Sequence, residues 1–112
     1  MSREVKVFAL LKAASNQIVR AFDLKFAGIV INELLVVDKL YGRCWLKEKL
    51  IELRLKKDDG SWFSDWFIMD TLAHELAHLA EDGHGKNHKF LYFSIREALK
   101  RSLLKKNRTF RI

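Results

Sequence analysis

The sequence predicts one α+β domain, with helices toward both ends of the chain and a small sheet between them. Two observations carry this reading. Apolar residues recur every three or four positions in three separate stretches, and one central stretch alternates apolar with charged residues. A third supports them: the 112 residues include no proline, so nothing interrupts long helices and strands. The length suits a single domain over residues 1–112, with a real core and little room for accessories.

The first helical stretch is residues 3–22. Phe8, Leu11, Ile18 and Phe22 share its spacing, and Val7, Ala14 and Val19 widen the stripe. Residues 26–40 mix a β-branched run at 29–31 with Leu34, Leu35, Val36 and Val37, which reads as a short strand or two. Over residues 45–57 the period becomes two. Ile51, Leu53 and Leu55 alternate with Glu52, Arg54 and Lys56, the pattern of a half-buried strand. Asp58, Asp59 and Gly60 make a turn, and Ser64 or Asp65 caps a helix running to about residue 81. Asp82, Gly83 and Gly85 break it, and a last amphipathic helix covers residues 86–104.

Composition narrows the class. Apolar residues at 49% and charged residues at 31% describe a globular chain. The lone cysteine, Cys44, excludes an internal disulfide framework and suits a reducing cytoplasm, where it reads as a small buried residue. Met1 leads straight into a charged segment, so no secretory leader is expected, and no apolar run approaches the roughly 18 residues of a membrane span. The expectation is a soluble, cytoplasmic protein without membrane contact. The net charge is +7, and residues 100–112 carry Lys100, Arg101, Lys105, Lys106, Arg108 and Arg111 without an acid. Such a tail suits a polyanion, although cations are favourable at any helix C-terminus.

The chemistry lies in His74-Glu75-Leu76-Ala77-His78, an H-E-x-x-H motif on a predicted helix. Four residues turn a helix by about 400°, so both imidazoles project from one face and can grip one ion. A helical wheel places Ile68, Met69, Leu72, Leu76 and Leu79 on one arc and the two histidines opposite it, away from the core. Glu75 lies at the edge of the histidine face, within reach of a metal-held water. Zinc with three protein ligands keeps one position open for that water, and a carboxylate then serves as general base.

The third ligand has several candidates. His84 follows His78 by six residues, in a Gly83-His84-Gly85 turn that lets the chain fold back. Glu97 falls among Phe90, Phe93 and Leu104 on the last helix, an awkward place for a carboxylate unless a metal or Arg101 partners it. His88 shares a stripe with Leu91, Ile95 and Leu99, which suits core packing better. Tyr92 is a candidate oxyanion donor, with core packing as its plainer reading. Trp62, Phe63, Trp66 and Phe67 form an aromatic cluster that reads as core before it reads as a substrate wall.

The run from His74 through Gly85 resembles the SprT-like and WLM group of zinc peptidases, in which a third histidine lies six residues after the second. That resemblance implies zinc ligands His74, His78 and His84 with Glu75 as base. The short length also resembles the minimal, selecase-type archaeal minigluzincins, where a glutamate on the following helix takes the third place; Glu97 would do so here. Both resemblances imply a zincin-like fold: an N-terminal helix, a small sheet, an active-site helix and a C-terminal ligand helix. They further imply that an edge strand, here residues 45–57, binds the substrate in extended form.

The function expected is that of a zinc-dependent endopeptidase acting on exposed polypeptide. An open edge would also favour self-association. The basic tail is expected to fold over the cleft and restrain activity. The alternative is a nucleic-acid-associated protease or binding module that uses the tail. It is not favoured, because no aromatic-plus-basic ribbon is visible in the sequence.

Overall fold

The computed structural model describes residues 1–81 and 83–112. Helix α1 (Arg3–Ala21) is followed by β1 (Gly28–Ile31), a 3-10 segment (Glu33–Asp38), β2 (Gly42–Trp45) and β3 (Leu50–Leu53). Helices α2 (Asp65–His78) and α3 (Lys86–Leu103) complete a mixed α+β architecture. The helix break expected at Asp82 lies outside the described residues at that position.

Local chemistry sets the helix boundaries. Ser2 Oγ accepts the Val5 amide at 3.2 Å to start α1, and Ser64 Oγ accepts the Phe67 amide at 3.1 Å to start α2. From α1 the core receives Val7, Leu11, Ala14 and Ile18, the stripe that the periodicity indicates. Between the strands, the apolar run at 34–37 is 3-10 helix rather than strand. Asn32 caps it by accepting the Leu34 amide at 3.1 Å, and of that run only Leu35 is buried.

The sheet order is β1–β3–β2, with β1 parallel and β2 antiparallel to β3. This corrects the expectation of a substrate-binding edge at residues 45–57. Their best-patterned part, β3, is the central strand, and its Ile51, Glu52 and Leu53 are buried. The alternation is real, but its charged residues are covered by partners distant in sequence. Glu52 accepts from Asn32 at 2.6 Å, from Arg43 at 2.9 Å and from the Trp45 indole. Beyond β3, Arg54 donates to the Leu40 and Lys56 carbonyls and pairs with Asp58. A buried charge is tolerated when satisfied in this way.

Ile51, Leu53 and Leu55 point from the sheet into a core shared with Ile68, Met69, Leu72 and Leu76 of α2 and with Ile95 and Leu99 of α3. Helix α2 is thereby enclosed on most sides. Its histidine face, expected to point away from the core, is covered in part: His78 is only 8% exposed, while His74 stays part-exposed. No helix is long and apolar enough to cross a membrane among the described residues.

Candidate metal centre

Helix α2 runs beside β2, and an open cleft of about 550 Å³ lies between them. Its strand wall is Tyr41, Gly42, Arg43 and Cys44; its floor is Thr71, His74, Glu75 and His78. His74 and His78 stand one turn apart with ring centroids at 4.9 Å and rings nearly perpendicular. After α2 ends, the chain turns and brings the His84 ring to 5.0 Å from His74 and 4.6 Å from His78. One ligand atom from each of the three lies within 4.8 Å of the others.

The hydrogen bonding fixes the form of His78. Its Nδ1 lies 2.9 Å from the Glu81 carbonyl, which can only accept, so Nδ1 carries the proton. In the neutral ring Nε2 is then a bare lone pair, and it faces His84 Nε2 at 3.1 Å. Ligand atoms bonded tetrahedrally at about 2.0–2.1 Å lie roughly 3.4 Å apart, so the spacing of this pair is close to what a shared zinc requires. The donor set of three imidazoles fits the same ion.

Glu75 is buried at 7% exposure and holds Oε2 3.7 Å from His74 Nδ1, on the cleft side of α2. Gly42 makes that position available. A Cβ built there would lie 2.9 Å from Thr71 Cγ2, 3.1 Å from Glu75 Cγ and 3.2 Å from its Oε2. A side chain there would therefore press on Thr71 and Glu75, and both would have to shift to admit it. The sequence analysis did not single out Gly42; a glycine inside a strand is the signal that could have found it.

His88 is not among the converging ligand atoms. It is buried on α3, donates Nε2–H to the His74 carbonyl at 3.2 Å and stacks on His78 with centroids at 4.1 Å. Burial holds its imidazole below the usual value, against the carbonyl contact that favours the charged form. It braces the site from beneath. Tyr92 lines the cleft, and its hydroxyl donates to Asp70 at 2.5 Å. Burial, and then the Asp70 carboxylate, push its phenol above the ordinary value. Cys44, read as buried, is only half-buried and faces the cleft; burial and then Glu75 push its thiol up to about 11.

Glu97 is not brought to the site. It is exposed on α3, on the side opposite His88, Ile95 and Leu99. The inference that it needed a partner assumed that Phe90 and Phe93 were core residues, but both are exposed. The basic tail is also elsewhere. Phe110 is buried and donates its amide to Asp65 at 2.7 Å, while Arg108 lies over Trp66, so the tail packs at the opposite end of α2. Of the aromatic cluster, Phe67 reaches the cleft, stacked on Phe63 at 4.6 Å.

Fold and site together define a small α+β domain with a three-histidine candidate metal centre beside a sheet edge. The chain belongs to the WLM domain family, which it matches over residues 3–106. It is 31% identical over 79 residues to a protein of Schizosaccharomyces pombe named DNA-dependent metalloprotease WSS1 homolog. That match covers 70% of this chain and 29% of the relative, so the chain spans under a third of the relative's length. No solved structure matches it. The WLM assignment and the position of Glu97 together correct the minigluzincin resemblance.

Proposed function

We propose that this chain is a zinc-dependent endopeptidase domain, with His74, His78 and His84 holding the metal and Glu75 as general base. The observation that carries the reading is the lone pair of His78 aimed at His84, with Glu75 buried alongside and open to the same cleft. The name of the fission yeast relative points the same way.

Zinc, when bound, would supply the Lewis acidity that activates a water and polarises a peptide carbonyl. The chain's own residues do the rest. Glu75 takes the proton of the attacking water and returns it to the leaving amine nitrogen. Its burial keeps the carboxylate in one place, and Gly42 leaves it the space. Tyr92 lines the cleft with its one hydroxyl proton given to Asp70, so it would serve the oxyanion of the tetrahedral intermediate only by turning from that carboxylate.

The substrate is an extended, exposed polypeptide. Strand β2 pairs on one side only among the described residues. The Arg54 amide donates to the Tyr41 carbonyl, so Tyr41, Arg43 and Trp45 direct their backbone groups at β3. Gly42 and Cys44 then direct theirs at the open edge, where a substrate strand can pair. A second copy could pair at the same edge. The reading is tested by casein hydrolysis with the zinc-loaded protein. A Glu75→Ala variant should keep the metal and lose the activity.

A further inference from the structure

The cleft extends beyond the metal centre to an aromatic corner. Phe67 lines the floor seven residues before His74 on α2, about 10 Å along the axis and at nearly the same azimuth. Tyr41 faces it from the strand wall. Its ring stands at 88° to Phe67 with centroids 5.2 Å apart, and at 86° to Phe63 at 5.7 Å. Phe63 and Phe67 are themselves stacked at 4.6 Å, so the three rings meet at a right angle. Tyr41 is nevertheless 54% exposed.

This corner is held from behind. Arg54 is only 4% exposed; its side chain donates to the Leu40 carbonyl at 3.2 Å and its amide to the Tyr41 carbonyl at 3.0 Å. The guanidinium carbon lies 5.3 Å from the Phe63 centroid and 5.9 Å from that of Tyr41. A ring fixed in this way loses little freedom when a ligand covers it, so its burial is available as affinity. Charge does not compete there. Asp70, the floor carboxylate between Phe67 and His74, already accepts from the Tyr92 hydroxyl and lies 3.7 Å from Arg96.

We infer that the corner of Tyr41, Phe63 and Phe67 is a specificity subsite for an aromatic side chain of the substrate. A ring entering it meets one partner face-on and another edge-on, the two arrangements that aromatic pairs prefer. The inference rests on the peptidase reading for the strand that delivers this side chain. Strand β2 leads away from the corner, from Gly42 to Trp45. Antiparallel pairing, the more stable kind, then carries the substrate from Cys44 toward Tyr41. The aromatic residue therefore lies on the C-terminal side of the bond cut. At about 3.4 Å per residue, the distance from His74 to Phe67 makes it the second or third residue after that bond.

The test uses labelled peptides built from Ser and Ala that differ only at one central position, which is Phe, Leu, Lys or Ala. Fluorescence anisotropy with zinc-loaded Glu75→Ala measures binding without turnover, and mass spectrometry of wild-type digests locates the cut. The Phe peptide should bind about tenfold more tightly than the Ala peptide, with Leu between them and Lys no better than Ala. Adding Tyr41→Ala should bring the Phe and Ala peptides to similar affinity, whereas Tyr41→Phe should keep them apart. Phe90→Ala, which removes an exposed ring outside the cleft, should also keep them apart. Equal binding of the Phe and Ala peptides, a preference for Lys, a preference that survives Tyr41→Ala, or cuts only on the C-terminal side of Phe overturns the proposal. If the Phe peptide is preferred but the wild type cuts no peptide, the peptidase reading falls and the corner stands as an aromatic-binding site.

Discussion

His78 and His84 face one another through their Nε2 atoms at 3.1 Å, although His84 belongs to the loop after α2 and not to the helix itself. The Glu81 carbonyl sets the tautomer that leaves the Nε2 lone pair of His78 facing His84, and the proposed function takes both as zinc ligands. Replacing His84 by Ala should therefore weaken zinc binding by on the order of 100-fold or more, since even outer-sphere partners are worth about 10- to 100-fold. Glu97→Ala should leave it unchanged. Competition against a chromogenic chelator measures both, and the reverse ranking would return the third place to Glu97.

Gly42 tests the closeness of strand and helix. A methyl group at that position meets Thr71 and Glu75 at or near 3 Å. Gly42→Ala should retain zinc, lose about 1–3 kcal/mol of stability to overpacking, and turn over casein more slowly. Undiminished turnover would mean that Glu75 tolerates displacement and that the glycine has no part in positioning it.

Tyr92→Phe removes the hydroxyl together with its hydrogen bond to Asp70. If that hydroxyl donates to the developing oxyanion, kcat should fall by about 100-fold while KM and zinc content stay as they were. A change confined to KM would leave Tyr92 a part of the cleft wall.

Glu52 supplies a pH signature remote from the metal centre. Burial raises its pKa, but hydrogen bonds from Asn32, Trp45 and Arg43 more than offset this and hold it below its ordinary 4.5. As pH falls, the unfolded chain takes up this proton before the folded one does. The stabilisation is therefore complete above about 4.5 and is lost as pH drops through the lower folded value. Chemical denaturation from pH 6 to about pH 3 should show a steeper loss in the wild type than in Glu52→Gln. Parallel curves would remove Glu52 from the account of acid stability.

What could be read from the sequence was local. Ser2 and Ser64 cap helices whose apolar spacing is visible in a window of a few turns, and the His74–His78 pair depends on helix pitch alone. What could not be read was non-local. The alternation over β3 looks the same whether Glu52 faces water or is covered by Asn32, Arg43 and Trp45, so an edge was expected where the centre of the sheet lies. Glu97 was misplaced for a related reason. Phenylalanines normally mark a core, and the two on α3 that suggested one are exposed.

The measurement that bears most directly on the central claim pairs zinc content with casein hydrolysis for the wild type and Glu75→Ala. The account predicts about one zinc per chain in both proteins, as three imidazoles and one open position require, with cleavage by the wild type alone. Equal cleavage by the two proteins would contradict the role of Glu75, and absence of zinc from both would contradict the metal centre itself.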